Sequence, residues 1–249
     1  MEFDEQKLIS ETYNSIRAFD PDLAMDSLKV VQDVIKHRNY WKPEKVKTML
    51  LAESHVFTQD WENEIILQYP PSLGKFRLPA NFVKLVYCLG YGEPLLAHEV
   101  QNNPGTWQYW KIFSYAASKQ GNNSYKSVQK TKVIDSEARL NNKISTLESL
   151  RNNKVWLVDC SIVSLAGHDV KMTTNQKDYL LDFSFNNYIS KLVSFVMPEH
   201  ILIIGNRVGN IIERKLRIID IPFNSIPQPQ KRGDYQKELE TIQEICNRP

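Results

Sequence analysis

The chain has little of what disulfide-rich and metal-binding proteins need. It holds three cysteines, Cys88, Cys160 and Cys246, and no two of them form a CxxC pair. An odd, sparse set of cysteines is typical of reduced thiols in the cytosol, and no zinc-ligand spacing is present. We therefore expect a cytoplasmic protein without disulfides and without a metal site.

Glycine is also scarce, with nine residues in 249. No Gly-x-Gly-x-x-Gly sequence and no P-loop follows an apolar run, so the chain does not predict a dinucleotide or nucleoside triphosphate enzyme, and we expect no cofactor. No apolar stretch approaches the roughly 20 residues of a membrane-spanning helix. The acidic residues 1–5 lack the apolar segment of a secretory signal. We expect no contact with a membrane.

An excess of charge of one sign is lacking as well. Lysine and arginine total 31 and aspartate and glutamate 29, a formal net charge of +2. Such a balance does not by itself indicate a nucleic-acid partner, because only clustered basic residues would do so. Apolar residues make up 42% of the chain, which is enough for a substantial core in one large domain.

What the chain does have is four apolar runs, each leading into polar residues. They are residues 48–52, 155–158, 201–204 and 218–222. Near-continuous apolar runs predict strands buried on both faces of a parallel sheet. Ligands bind beyond the carboxyl ends of such strands, so we expect the polar residues that follow the runs to meet in one crevice.

Segments with helical spacing alternate with these runs. They are residues 5–37 (with a second helix beginning at Asp20-Pro21), 135–151, 178–196, 206–216 and 236–246. This alternation predicts βαβ crossovers and an α/β fold, a three-layer α/β/α sandwich with a small, mostly parallel central sheet. We expect an N-terminal helical segment (1–45) packed on the core, an α/β domain (46–235) and a C-terminal helix (236–249). Residues 119–132 predict a polar loop.

The order and spacing of the strands resemble the uracil-DNA glycosylase superfamily over most of residues 46–235. In that family the first strand ends in a water-activating motif, which corresponds here to Ala52-Glu53-Ser54-His55. Glu53 aligns with the Glu of the form Gly-Glu-Ala-Pro-Gly. Ser54 lies where the form Gly-Gln-Asp-Pro-Tyr has its catalytic Asp, and His55 lies where the motif has Pro.

The other strand ends continue the resemblance. The family's next core strand ends in a base-reading residue, often Asn, and here it ends in Asp159. The third strand ends before a helix, as Gly205-Asn206 does here. The fourth leads to a His-Pro-Ser loop, which corresponds to Gln228-Pro229-Gln230. The resemblance implies a DNA glycosylase, with DNA as partner, that flips a nucleotide into a pocket and leaves an abasic site. We expect a monomer.

The family's chemistry gives roles to the residues at the first strand end. Cleavage of the glycosidic bond builds positive charge on the sugar, which the Glu53 carboxylate would stabilise, or Glu53 would orient the attacking water. His55 would donate a proton near neutral pH or contact a phosphate. The structural alternatives are that Glu53 caps a helix or pairs with a lysine, and that His55 is a hydrogen-bonded core residue.

Asp159, Phe57 and Gln228 are the expected base-binding residues. An ionised Asp only accepts hydrogen bonds, so Asp159 suits an exocyclic amino group better than the O4 of uracil. This favours a cytosine derivative or another amino-bearing base, as in modified phage DNA. Phe57 would stack on the base, and Gln228 would donate to its carbonyl. The alternative for Asp159 is a capping role.

Four residues are expected to contact the DNA backbone: Ser161, Arg207, Lys231 and Arg232. A further basic flank would comprise Lys119, Lys126, Lys130, Lys132, Arg139 and Lys143. Because the family's Pro and His are absent, a second hypothesis is a nucleic-acid-binding module that has lost its chemistry. A third is a nucleotide or nucleoside hydrolase.

Overall fold

Four parallel strands form the centre of the fold in a computed structural model, which describes residues 3–100, 102–169, 171–228 and 235–248. The strands are β1 (Thr48–Ala52), β2 (Val155–Asp159), β3 (His200–Ile204) and β4 (Phe223–Ile226). They lie in the order β2-β1-β3-β4, and each pairing is parallel. The predicted α/β class with a small parallel sheet is confirmed.

The register brings the carboxyl ends of the strands to one edge. Ala52 pairs with Asp159, and Ile204 pairs with Ile226. The connection that follows β1 leads to β2 on one side of the sheet, and the connection that follows β3 leads to β4 on the opposite side. The gap between β1 and β3 is therefore the topological switch point, where open parallel sheets bind ligands.

The fourth predicted strand was wrong in position. Ile218 and Ile219 complete a helix that starts at Asn206, and the Ile218 side chain is 85% exposed. The strand itself begins at Phe223, and its residues Asn224 and Ser225 are exposed. Edge strands with one solvated face lack a continuous apolar run, which is why the run at 218–222 misled the prediction.

Helices cover the sheet. They are α1 (Glu5–Phe19), α2 (Leu28–Tyr40), α3 (Asp60–Asn63), α4 (Trp107–Ala117), α5 (Gly121–Val128), α6 (Ser136–Asn152), α7 (Thr174–Ser184), α8 (Ser190–Val196), α9 (Asn206–Ile219) and α10 (Gln236–Cys246). A 3₁₀-helix spans Pro71–Phe76, and a π-helix, Phe185–Ile189, joins α7 to α8. No helix in the described part of the chain is long and apolar enough to cross a membrane.

Two helix boundaries differ from the prediction. The second helix begins at Leu28 rather than at Pro21, because the Ser27 hydroxyl caps it by accepting a hydrogen bond from the Val30 N–H. Residues 121–128 form α5 where a loop was expected, and this helix packs against α4 and α6. The polar composition of residues 121–128 does not predict a helix, because this helix is stabilised by packing against its neighbours.

The helices form two packed groups. α6 packs against β2 and contacts α4 and α5, while α10 contacts α4. α9 packs against β3 and β4 and contacts α7, which also contacts α1. This arrangement is consistent with a three-layer sandwich. The outer edge of β2 is covered in one place, since the Leu157 N–H donates to the Tyr87 hydroxyl at 2.8 Å.

A buried ion cluster ties the long segment before α4 to α6. The Glu93 carboxylate accepts from Arg139 at 2.6 and 2.9 Å and from Lys143 at 2.6 Å, and all three residues are buried. Arg139 and Lys143 therefore do not belong to an exposed DNA-binding flank, contrary to the prediction. Both side chains project from α6 into the core, where they pair with the Glu93 carboxylate.

We predict that Glu93→Gln destabilises the fold by about 3–5 kcal/mol, because it leaves two buried cations without their carboxylate. Urea unfolding measures the loss. Glu148→Gln on the exposed face of α6 is the matched control and should change stability by less than about 0.5 kcal/mol. Equal, small losses in both variants would show that the cluster contributes little.

Candidate functional site

A cleft of about 100 Å³ lies at the carboxyl ends of the strands. Four of the residues singled out in the sequence line it: Glu53, His55, Asp159 and Gln228. Each follows or ends a strand, so the level strand ends bring together side chains that are up to 175 residues apart in sequence (53 to 228). Residues at the ends of β1 and β2 and after β4 meet in one crevice as expected, whereas the polar residues after β3 do not line it.

His55 lies between two carboxylates at the inner end of the cleft. Its Nε2 is 3.2 Å from Asp26 Oδ2, and its Nδ1 is 3.4 Å from Asp159 Oδ2. The His55 side chain is fully buried, and that of Asp159 is 11% exposed. The imidazole thus connects a core carboxylate to one that faces the cleft.

Asp26 is the residue that sequence reasoning missed. It lies just before α2, is fully buried, and accepts hydrogen bonds from the N–H groups of Thr58 at 3.1 Å and Ser164 at 2.7 Å. Three segments distant in sequence therefore converge on one carboxylate. Asp26 and His55 are 29 residues apart, and no local spacing in the sequence signals their contact.

The two carboxylates keep His55 charged. Burial alone would lower the pKa of His55, but Asp26 and Asp159 outweigh it and raise the pKa to about 9. Burial would raise the pKa of Asp26, but the His55 charge and the hydrogen bonds hold it below its usual value. A charged, buried His55 is suited to orienting Asp159. Because the His55 side chain is fully buried, it does not contact a phosphate, which corrects that expectation. Its role as a proton donor stays a prediction.

Glu53 lies nearer the solvent, at the switch point. Its side chain is 30% exposed, and its Oε1 is 3.5 Å from Nε of Arg207. Arg207 also faces Asp178, at 3.5 Å. Glu53 pairs with an arginine rather than a lysine and starts no helix. Arg207 lies near two carboxylates, and its contact with a DNA phosphate stays a prediction.

Two further predicted contacts are corrected. Ser161 is fully buried and donates its hydroxyl hydrogen to the Val163 carbonyl at 2.7 Å, so it does not face DNA. The Phe57 ring packs against His168, tilted by 32° with ring centroids 4.2 Å apart, and does not line the cleft. Lys231 and Arg232 lie outside the described residues.

The lining residues that were not predicted include Tyr109, Gln108 and Lys84. Tyr109 is the aromatic side chain among the described residues that line the cleft, a role that was expected of Phe57. Lys84 pairs with Glu62 at 2.6 Å. The signal for Tyr109 was the aromatic start of α4, but the sequence does not reveal that this helix begins beside the strand ends.

The described residues offer neither a metal cluster nor an activated thiol. No group of three or more His, Cys, Asp and Glu in them could hold a metal ion. At His55 this follows from geometry, because its two carboxylates lie against opposite ring nitrogens. Burial raises the pKa of the Cys160 thiol well above its usual value, which disfavours the reactive thiolate.

Comparison with known proteins adds no relative. No protein-family model, no curated protein and no solved structure matches the chain. The resemblance to uracil-DNA glycosylases therefore stays a prediction from the sequence pattern.

We predict that the free energy of unfolding falls by roughly 3 kcal/mol between pH 6.5 and 9 through His55. The folded pKa of about 9 lies above the ordinary 6.5, so the stabilisation is complete below pH 6.5 and is lost as His55 deprotonates. Urea unfolding across this pH range measures it. His55→Gln should remove the slope, and Asp159→Asn should move it to lower pH.

His37 provides the control for this prediction. Burial lowers the pKa of His37 to about 4, so its contribution to stability is lost as the pH falls from 6.5 towards 4. His37→Gln should therefore alter the acid side and leave the alkaline slope intact. An alkaline slope that persists in His55→Gln would refute the assignment.

Proposed function

We propose that the protein is a DNA glycosylase that accepts a flipped, amino-bearing base in the cleft at the strand ends and hydrolyses its N-glycosidic bond. A cytosine derivative, such as a modified base of phage DNA, is the favoured substrate. The observation that carries the proposal is that Glu53, Asp159 and Gln228 line one cleft at the switch point of a parallel sheet.

In this mechanism Glu53 acts at the sugar. It is the partly exposed carboxylate of the cleft, and bond cleavage leaves an oxocarbenium-like sugar that a nearby carboxylate stabilises while water attacks C1′. The electrons of the broken bond leave with the base, which takes up a proton from solvent. The Arg207 guanidinium, 3.5 Å away, holds the Glu53 carboxylate in place. Water supplies the hydroxyl of the abasic product, so no cofactor is required.

Asp159 selects the base. His55 Nδ1 lies behind it at 3.4 Å from Oδ2. A carboxylate accepts from an exocyclic amino group, whereas it would repel a carbonyl oxygen. Gln228 supplies an amide that both donates and accepts at the opposite wall. The Tyr109 ring offers an apolar surface to the flipped base.

We predict that Glu53→Gln lowers abasic-site formation by about 100-fold or more, the scale expected for a positioned carboxylate. Gln keeps the shape but cannot stabilise the sugar cation. The measurement is strand cleavage by alkali after incubation with duplex and single-stranded DNA carrying uracil, cytosine, 5-methylcytosine or 5-hydroxymethylcytosine.

The variant Arg207→Gln tests whether activity depends on the Glu53 carboxylate itself or on its ion pair with Arg207. It breaks the same Glu53 contact but keeps the carboxylate, so it should lose much less activity than Glu53→Gln. Glu64→Gln, at an exposed position, should behave as the wild type.

If wild-type protein binds these DNAs but forms no abasic sites on any of them, the binding-module hypothesis replaces this one. Hydrolysis of free nucleosides in preference to DNA would favour the nucleoside hydrolase.

We predict that Asp159→Asn shifts the preference between uracil and an amino-bearing base towards uracil by about tenfold, because Asn also donates a hydrogen bond. The ratio of single-turnover rates on the two substrates measures it. A ratio that does not change, or a wild type that prefers uracil to every amino-bearing base, would contradict the role of Asp159.

A further inference from the structure

A second cavity, of about 210 Å³, lies next to the strand-end cleft. Thr106, the residue before α4, lines both. Four aromatic side chains contribute to the wall of the second cavity: Tyr91, Trp107, Trp110 and Tyr125. None of them has a role in base excision as proposed above.

The wall of this cavity depends on two glycines. Gly92 has a φ of +100° and Gly105 a φ of +72°, and a Cβ on Gly105 would lie 2.8 Å from the Gly92 Cα. The Asn103 side chain stabilises this close approach of Gly92 and Gly105. It accepts a hydrogen bond from the Gly92 N–H and donates one to the Gly90 carbonyl, both at 2.6 Å. The cavity is thus a built feature of the fold, because two backbone segments meet where only glycine fits.

The polar groups of the wall favour an anionic, hydrogen-bonding ligand. Lys143 and the exposed Lys130 line the cavity, and no acidic residue of the described chain does so. Lys143 is already paired with Glu93 and lies 5.0 Å from the Trp110 ring centroid. Lys130 is therefore the cation that an anion at the rim would meet.

Two buried polar atoms of the wall have no hydrogen-bond partner among the described residues: Trp110 Nε1 and Thr106 Oγ1. Both residues are more than nine-tenths buried. Thr106 precedes α4 yet its hydroxyl does not cap the helix. Neither atom is exposed at the cavity surface, so the cavity offers a ligand its aromatic rings and Lys130 rather than these two groups.

We propose that this second cavity binds a nucleotide, with its base between the aromatic rings and its phosphate at Lys130. Stacking on aromatic rings is available to every base, and Lys130 at the rim supplies the cation for a phosphate. The nucleotide is either a free nucleoside monophosphate or a residue of a single DNA strand. The proposal does not depend on base excision in the strand-end cleft.

The test is calorimetric titration of the full chain with AMP, GMP, CMP and TMP, and with a five-nucleotide single-stranded DNA. Trp107→Ala should weaken binding by about fivefold or more, because one stacking surface is lost. Lys130→Ala should weaken it and reduce its salt dependence.

Matched controls lie outside the cavity. Trp61→Ala and Lys132→Ala remove an exposed tryptophan and an exposed lysine that do not line it, and both should bind as the wild type does. Tight binding of DNA but not of mononucleotides would identify the strand as the source. No binding of either, or binding that Trp107→Ala and Lys130→Ala leave unchanged, would overturn the proposal. Glu53→Gln should retain this binding, so that failure of base excision and failure of this site remain distinct.

Discussion

The contact between Asp26, His55 and Asp159 is the constraint on which the candidate site depends. One buried imidazolium joins a carboxylate of the core to a carboxylate of the cleft, and the N–H groups of Thr58 and Ser164 fix the inner end. A buried charge is tolerated only when paired and hydrogen-bonded, so the segment before α2 and the ends of β1 and β2 must assemble together. The same interaction therefore helps to hold the fold together and positions the candidate site.

The sheet could be predicted from the sequence because its central strands are apolar on both faces. The runs at β1, β2 and β3 leave no competing pattern, whereas β4 has polar residues on an exposed face and was missed in favour of the end of α9. Helix α5 was missed for a related reason: its packing on α4 and α6 is tertiary, and composition does not reveal it.

The site was predictable only where strand ends define it. Glu53, Asp159 and Gln228 could be found since level parallel strands bring their ends together. Asp26, Tyr109 and the partners of Arg207 could not, because loops and helix starts place them. Sequence patterns also do not distinguish a histidine that works in the cleft from one that is held behind it between two carboxylates.

The hydroxyl of Tyr87, bound to the Leu157 N–H, has a consequence for association between chains. β2 is an outer strand of the sheet, and an unpaired outward N–H invites a strand from another molecule. The Tyr87 hydroxyl accepts a hydrogen bond from this N–H, and the Tyr87 side chain lies at the edge of the sheet. Docking of a foreign strand there would have to expel a buried aromatic side chain, so this flank is protected against intermolecular sheet growth.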